Sequence, residues 1–271
     1  MADLTLATLN IASASKDRAR RILDEWILPT DSDVYVLTET SEGTGTELII
    51  SELQSAGWKI FQRPTASKDR GVAVASRVAA TEAPHSVDDP APGRSVVIDL
   101  ETSPPVQIVG MYVPNRGNDP LKLSRKKTYL ERWLSFLANP FSTQHARILL
   151  GDLNVVPSGH WPQFLPQQQF EYDWYEGLDR RGGLYDAATI HSAEGHESTW
   201  VAHSGEGYTY DHIMVQKALS GRVKTFFYDH STRLTGTLSD HSALVIKIEF
   251  DAVRNHVQEP PERTQPTLFD F

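Results

Sequence analysis

Ten short apolar runs recur along the chain, separated by turn-forming residues. They lie at 4–11, 33–40, 58–63, 71–76, 94–100, 106–113, 146–152, 211–215, 222–228 and 242–250. Their Val, Ile, Leu and Phe content is typical of β-strands. Many runs are neighbours in sequence, and helical stretches separate only some of them. The pattern therefore favours two packed sheets with helices outside over a regularly alternating parallel sheet.

Three stretches have the spacing of helices. Residues 16–28 follow Ser13 and Ser15, either of which could cap a helix, and residues 46–56 form a shorter candidate. Residues 121–138 carry one apolar stripe at helical spacing. The stripe consists of Leu123, Leu130, Trp133, Leu134 and Leu137. We expect an α/β (α+β) fold, a four-layered sandwich of two mostly antiparallel mixed sheets flanked by helices.

The chain of 271 residues is long enough for a single large core, and one domain over 1–250 is the simplest prediction. Residues 251–271 are rich in Pro, Glu, Gln and Arg, which predicts a flexible tail. The chain contains no cysteine, which excludes disulfides and thiolate metal sites. Its first residues resemble a strand more than a secretory signal, and no apolar run is long enough to cross a bilayer. We expect a cytoplasmic monomer.

The formal net charge is −9, which argues against broad coating of nucleic acid. A local basic rim around an acidic pocket remains compatible with that total. The segments 16–21 and 122–127 are candidates for such a rim. The alternative is that each is only a solvated helix face.

Polar residues stand at the ends of several predicted strands, where a rigid sheet would hold catalytic groups. They are Asn10, Glu39, Tyr112, Asp152, Asn154, Asp211, His212, Asp240 and His241. Because side chains alternate along a strand, Glu39 is expected on the face opposite Val34 and Val36. Each residue taken alone could be a turn former. Four separated carboxylates with two asparagines and a histidine are harder to explain that way.

These side-chain types select among reactions. Carboxylate and amide oxygens without thiolates suit a hard cation such as Mg²⁺, which keeps waters and phosphate oxygens among its ligands. The chain has no G-x-S-x-G elbow and no G-x-x-x-x-G-K-[ST] loop, so a serine hydrolase and a P-loop nucleotide hydrolase are disfavoured. The sequence favours metal-assisted hydrolysis of a phosphate ester.

Several segments, in order over residues 3–250, resemble motifs of the endonuclease/exonuclease/phosphatase superfamily. They are ATLNIAS, VLTET, RGVAVAS, GMYVPN, GDLNVVP, YTYDHIMV and SDHSALV. The resemblance implies that Glu39 binds a divalent ion, Mg²⁺ or Mn²⁺, with Asn10 and Asp240 in support. It further implies that Asp211 orients His241 toward the scissile phosphate.

The same resemblance implies that Asp152 activates water or steers the leaving oxygen and that Asn154 holds the phosphate or the nucleophile. Tyr112 would donate to the phosphate as negative charge grows there. A metal ion and aimed donors at the nonbridging oxygens would lower the barrier selectively.

Within the superfamily, GMYVPNRG and the helix before GDLN are similar to the exonuclease III and abasic-site endonuclease branch. This similarity implies substrate contacts from Asn115 and Arg116. It also implies an aromatic pocket for an extruded nucleotide at Trp200 and Tyr208, although both could be core aromatics.

Two departures weaken the abasic-site assignment. Ala12 stands where a polar residue often follows the asparagine, and the arginine expected after the aspartate of LYDAATIH is missing.

The last residues, QPTLFDF, are similar to a bacterial sliding-clamp peptide, with Gln265, Leu268 and Phe269 as the matching positions. A flexible tether with apolar anchors suits such a partner. A chance apolar terminus is the alternative.

The leading hypothesis is a divalent-metal-dependent DNA repair nuclease, acting as an abasic-site endonuclease, a 3′-exonuclease or both. The first alternative keeps the fold but acts on lipid, inositol or nucleotide phosphates. The second is an inactive scaffold recruited to the clamp.

Overall fold

The computed structural model describes residues 1–65, 69–85, 87–115, 119–139, 145–192, 195–235 and 237–255. Two six-stranded sheets pack face to face. The first has the order β14-β15-β1-β2-β4-β3 and the second the order β10-β13-β9-β8-β6-β5. The first contains β1 Ala2–Asn10, β2 Val34–Thr40, β3 Lys59–Gln62, β4 Gly71–Ser76, β14 Val223–Asp229 and β15 Ala243–Phe250. The second contains β5 Ala80–Glu82, β6 Ser95–Leu100, β8 Val106–Tyr112, β9 Ala146–Asp152, β10 Leu184–Asp186 and β13 Asp211–Gln216.

Each large sheet contains one parallel pair, β1 with β2 and β8 with β9, and its other pairs are antiparallel. Two small ribbons complete the strands. They are β7 Thr102–Ser103 with β16 Ala252–Val253, and β11 Trp200–Val201 with β12 Gly207–Tyr208.

The α-helices of the described residues are α1 Lys16–Ile22, α2 Leu28–Thr30, α3 Thr44–Ser55, α4 Pro120–Leu137, α5 Gln169–Arg180, α6 Ala187–His191, α7 Lys217–Ser220 and α8 Ser231–Leu234. Helices α1 and α3 pack on the outer face of the first sheet and α4 and α5 on that of the second, whereas α6 and α7 contribute Ala187, Ala188 and Leu219 to the core between the sheets. A π-helical turn at Leu23–Ile27 joins α1 to α2, and Ser15 caps α1. None of the helices among the described residues has the length and apolar character needed to cross a bilayer.

Because side chains alternate between the two faces of a strand, the apolar residues of the sheets form three layers. In β1, Leu4 and Leu6 join the core between the sheets, whereas Ala7 and Leu9 face the layer under α1 and α3. In the second sheet, Leu149 packs under α4 and α5. The four-layered sandwich expected from the sequence is therefore confirmed.

The three predicted helices are present, with the first extending to Thr30. The sequence analysis missed α5, although its capping box of Gln168 and Glu171 is a recognisable start signal. The chain also remains in the fold past residue 250, because β16 pairs with β7. The remainder of the expected tail, from residue 256, lies outside the described residues, and its flexibility stays a prediction.

Candidate active site

The inner faces of the two sheets carry most of the site. Asp152 continues the inward series of Ile148 and Leu150 in β9, and Asp211 begins the inward series of β13. Tyr112 and Asp211 are the register partners of Asp152 on either side. Asn10 likewise continues the inward face of β1. A strand that ends at the edge of the inter-sheet core thus places its last inward side chain at a common rim.

Glu39 reaches this rim through a break in β2. The register of β2 with β4 shifts between Thr38 and Thr40, and Glu39 has a φ of 53°. A β-bulge with a left-handed residue redirects a side chain. Simple alternation predicted that Glu39 lies on the face opposite Val34 and Val36. This prediction is wrong, because the Glu39 carboxylate contacts Tyr112 of the other sheet.

Two hydrogen bonds join the sheets at the rim. The Asn10 amide donates from Nδ2 to Asp152 Oδ2 at 2.8 Å, and the Tyr112 hydroxyl donates to Glu39 Oε1 at 2.9 Å. Burial raises the pKa of Tyr112, and the Asp152 and Glu39 carboxylates add to this effect. Tyr112 therefore stays protonated and remains a hydrogen-bond donor. The Arg94 guanidinium lies 4.4 Å from the centre of the Tyr112 ring.

His241 and Asp211 form a buried pair, with His241 Nδ1 2.7 Å from Asp211 Oδ2. Burial alone would lower the pKa of His241, but the charge and hydrogen bond of Asp211 outweigh it and raise the pKa to about 10. The imidazole is therefore a cation at neutral pH. With Nδ1 held by Asp211, Nε2 is the nitrogen that can reach a substrate oxygen.

Asp152 lies beside this pair and is itself buried. Its Oδ1 accepts the backbone N–H of Asn154 at 2.9 Å, while its Oδ2 is held by Asn10. Burial raises the pKa of Asp152 to about 7, with a further contribution from Asp211 and an opposing one from His241. A carboxylate with such a pKa can take up a proton near neutral pH.

Asn154 is fixed by its backbone and by its side chain. It has a φ of 48°, and its Nδ2 donates to the carbonyl oxygen of Val113 at 3.0 Å. Its own carbonyl oxygen accepts from Lys126 Nζ at 2.8 Å. Lys126 is fully buried and pairs with Glu171 at 2.6 Å. The amide of Asn154 is thus held beside Asp152 from two sides.

One cavity of about 780 Å³ lies at this rim, and Asn10, Tyr112 and Asp211 stand behind its lining. Its lining includes Glu39, Asn115, Asp152, Asn154, Trp200, Tyr208, Asp240 and His241, all expected as site residues from the sequence. The Trp200 indole donates to Asp240 Oδ2 at 3.2 Å. Arg116, Gln265, Leu268 and Phe269 lie outside the described residues, so their assignments stay predictions.

The aromatic wall is both cavity lining and packed core. Tyr208 is nearly buried and lies against Tyr210 and Phe164, with ring centres 6.0 and 4.9 Å away. All three rings nevertheless line the cavity. The sequence left open whether Tyr208 lines a pocket or packs in the core. In the structure it does both.

The sequence analysis missed several residues of the site. Lys126 and Glu171 line the cavity, as do Phe164, Leu165 and Tyr210. Lys126 had a detectable signal, because it lies on the apolar stripe of α4, four residues before Leu130. A lysine on a buried face needs a partner, which the sequence could not identify.

A second aspartate–histidine cluster lies outside the cavity lining. His212 points away from Asp211, and its Nδ1 lies 2.7 Å from Asp186 Oδ2, which also accepts from Tyr175 at 2.7 Å. Its Nε2 lies 3.1 Å from the carbonyl oxygen of Val155. Burial opposes protonation, but Asp186 raises the pKa of His212. The cluster ties β10, β13 and the segment after Asn154 together.

The donor set at the rim fits a hard cation. Glu39 and Asp240 line the cavity and offer carboxylate oxygens of the kind that Mg²⁺ and Mn²⁺ take, whereas Asn10 Oδ1 accepts the backbone N–H of Ala12 at 2.8 Å. Asp211 Oδ1 is buried and has no hydrogen-bond partner among the described residues, so it is an acceptor that a water or an ion would satisfy. The ligand atoms of Asp152, Asp211 and His241 all lie within 4.8 Å of one another.

Comparison with known proteins identifies a family and a fold. Residues 7–241 match the model of the Endonuclease/Exonuclease/phosphatase family. No curated protein matches the chain by sequence.

Similar solved structures include the 3′ phosphatase NExo from Neisseria bound to a product DNA hairpin, with 21% identity and a TM-score of 0.75. An AP endonuclease from Archaeoglobus fulgidus has 22% identity and a TM-score of 0.76. For both, the match covers 92% of this chain and 100% of the other. The AP endonuclease LMAP from Leishmania major has 17% identity and a TM-score of 0.71, over 94% and 88% of the two chains. These likenesses establish a shared fold.

Proposed function

Because the chain belongs to the endonuclease/exonuclease/phosphatase family, we propose that it is a divalent-cation-dependent DNA phosphodiesterase of DNA repair. Abasic-site cleavage, 3′-exonuclease action or both are the proposed reactions. The observation that carries the proposal is the position of Asp152. Asn10 of the opposite sheet holds it in the same cavity as Glu39, Asn154 and His241, which Asp211 supports from behind the lining.

Each side chain has a chemical task that follows from its contacts. Asp152 takes a proton from the attacking water, because its pKa of about 7 makes it a working base near neutral pH. His241 is a cation fixed by Asp211 and donates toward a nonbridging phosphate oxygen. Tyr112 remains protonated, and its single hydroxyl proton, which is donated to Glu39 Oε1 in the absence of substrate, turns to the same growing charge when substrate is bound. Asn154 holds the nucleophile or the phosphate with its amide.

Glu39, Asn10 and Asp240 would hold the divalent cation, which we propose to be Mg²⁺ or Mn²⁺. When bound, it supplies positive charge that polarises the phosphoryl group. The Tyr112–Glu39 hydrogen bond orients one carboxylate oxygen of Glu39. Such an outer contact fixes the direction of a ligand.

DNA is the proposed substrate because similar folds belong to an AP endonuclease from Archaeoglobus fulgidus and to NExo, which is described with a product DNA hairpin. NExo is also described as a 3′ phosphatase, which favours removal of a terminal 3′ phosphate as a second candidate reaction. We propose further that Asn115, Arg116, Trp200 and Tyr208 contact the nucleotide.

A substrate panel tests the proposal. Purified protein is assayed with and without EDTA on abasic duplex, recessed 3′ ends, 3′-phosphorylated DNA, single-stranded DNA, RNA, sphingomyelin and an inositol phosphate. Expected is EDTA-sensitive cleavage of DNA, with turnover lowered about 10²- to 10⁴-fold in Asp152→Asn. Turnover of only the lipid or the inositol phosphate would contradict the DNA assignment. Absence of turnover on every substrate would support an inactive scaffold.

We propose also that Gln265, Leu268 and Phe269 bind a bacterial sliding clamp. This proposal rests only on the sequence motif QPTLFDF. Deletion of residues 264–271 should abolish co-elution with the clamp while oligonucleotide cleavage continues. Clamp binding that survives the deletion would remove this proposal. The cytoplasmic location and the monomeric state are likewise proposals drawn from the sequence.

A further inference from the structure

Two exposed apolar residues stand on a loop that borders the catalytic cavity. Trp161 is 87% exposed and Leu165 is 82% exposed, among the highest values for large apolar side chains in the described residues. Both belong to the segment 157–168 that follows the Asp152–Asn154 motif. Leu165 lines the same cavity as Asp152 and His241. An occupant of the cavity therefore meets Leu165.

The segment that carries the pair is pinned at both ends. At its end, the Gln167 side chain forms two hydrogen bonds of 2.8 Å with the backbone of Val156. Near its start, His160 Nε2 accepts the backbone N–H of Thr209 at 3.2 Å, which leaves Nδ1 to donate to the carbonyl oxygen of Pro162 at 3.0 Å. Trp161 lies between His160 and Pro162, which this hydrogen bond joins.

The middle of the segment is anchored as well. The Phe164 ring packs edge-on against Tyr208 at 4.9 Å and against Tyr210 at 5.9 Å between ring centres. Backbone hydrogen bonds from Leu165 to Gln163 and from Gln167 to Phe164 close the turn. The exposure of Trp161 and Leu165 is thus a property of a fixed loop, and their apolar surface is held ready for a ligand.

We propose that Trp161 and Leu165 bind a nucleobase next to the scissile phosphate, one unstacked from its neighbours at a strand end or a distorted site. This inference rests on the proposed DNA substrate. An aromatic or apolar side chain that enters a base step replaces the lost stacking with its own contact. The cavity volume of about 780 Å³ exceeds what a phosphate group alone requires and lies in the usual range for ligand sites.

The position of the loop favours a base over a protein partner. Leu165 lines the reaction cavity and Trp161 lies four residues earlier on the same loop, so a nucleotide in the cavity places its neighbouring base beside this loop. A stable protein–protein contact on this loop would instead close the cavity mouth.

Three variants test the inference. Trp161→Ser and the double variant Trp161→Ser/Leu165→Ser remove the apolar surface, and Trp161→Phe keeps an aromatic face. The matched control is Leu28→Ser, which changes a leucine that is 68% exposed at the start of α2 and outside the cavity lining. Melting temperatures establish that each variant is folded.

The measurements are affinity for abasic duplex by fluorescence anisotropy, kcat/KM on the same DNA and turnover of bis(4-nitrophenyl) phosphate. We expect the double variant to lose about tenfold or more in DNA affinity and kcat/KM. In Trp161→Ser, which leaves the cavity lining intact, turnover of the small ester should stay within about twofold, because no base is present. Trp161→Phe and Leu28→Ser should behave like the wild type on both substrates.

A 2-aminopurine base beside the abasic site gives an independent readout of unstacking. Its fluorescence should rise on binding of the wild type and rise less with the double variant. If the double variant binds and cleaves DNA like the wild type, the inference is overturned and the proposed function stands. If the wild type cleaves the small ester but neither binds nor cleaves DNA, both are overturned. A change only in self-association, followed by sedimentation, would also overturn it.

Discussion

Asn10 and Asp152 lie 142 residues apart in the chain and belong to different sheets, yet the Asn10 amide donates to the Asp152 carboxylate at 2.8 Å. This single hydrogen bond couples the packing of the two sheets to the geometry of the proposed base.

Replacing Asn10 by Ala should lower kcat by about 10- to 100-fold, because Asp152 loses a donor that fixes its direction. The free energy of unfolding should fall by about 1–3 kcal/mol, since a buried acceptor is left unpaired. Kinetics and urea unfolding measure the two effects. The control is Thr8→Val, a substitution in the same strand as Asn10. It removes a buried hydrogen bond from Thr8 to the carbonyl of Val36 in β2 and should leave kcat unchanged. Equal losses of kcat in both variants would contradict the specific role of Asn10.

The pH dependence of stability should reveal the raised pKa of Asp152. Its ordinary value is 3.8 and its folded value about 7, so the native state binds more protons than the unfolded state between these values. Stability contributed by Asp152 therefore falls as pH rises through that window. In EDTA, Asp152→Asn should gain stability relative to the wild type from about pH 4 to about pH 7, by a few kcal/mol at about 1.4 kcal/mol per pKa unit. A pH-independent difference would show that Asp152 is not so perturbed.

Asp211→Asn should lower the pKa of His241, because it removes the charge that overcomes burial. The loss of activity should be largest at neutral and alkaline pH, about 10²-fold or more, and smaller where the imidazole is protonated without help. The pH profile of kcat measures this. The matched control is Asp186→Asn, which breaks the Asp186–His212 pair outside the cavity. That control should lose stability without a change in the shape of the kcat profile.

Lys126→Met should destabilise the fold by about 3–5 kcal/mol, because Glu171 is left buried without its partner at 2.6 Å. The double variant Lys126→Met/Glu171→Leu should recover much of this free energy. Its kcat should stay low, since the Lys126 contact with the Asn154 carbonyl is absent in both variants. A double-mutant cycle in urea, with kcat beside it, separates the two effects. Full recovery of kcat in the double variant would remove Lys126 from the support of Asn154.

Glu39→Gln should lower the affinity for the divalent cation about 10- to 100-fold, because it removes a ligand charge from the proposed site. The Mg²⁺ and Mn²⁺ concentrations that give half-maximal activity measure this effect. Tyr112→Phe, which frees Glu39 Oε1 from its hydroxyl donor, should raise that concentration less and lower kcat more. If Glu39→Gln needs the same metal concentration as the wild type, Glu39 is not a ligand of the cation.

Apolar content and turn residues predicted ten strands correctly, but β5 and β10 of the large sheets and the strands of the two small ribbons were not predicted. Alternation along the strand explains Asp152, since this residue continues the inward series of Ile148 and Leu150. The helix α4 was predicted by its stripe. Helix α5 was missed although Phe170, Trp174 and Leu178 recur every four residues, because three apolar residues in a polar segment are a weaker signal than the five of the α4 stripe.

The sequence by itself determined the layers of the protein and its complement of chemical groups, because hydrophobic periodicity and residue type are local properties. Only the tertiary structure decided how those groups meet. The bulge at Glu39, the pairing of Asn10 with Asp152 and the burial of Lys126 against Glu171 depend on residues distant in the chain. Their energies arise from desolvation and contact at a shared rim, which no single segment of the chain contains.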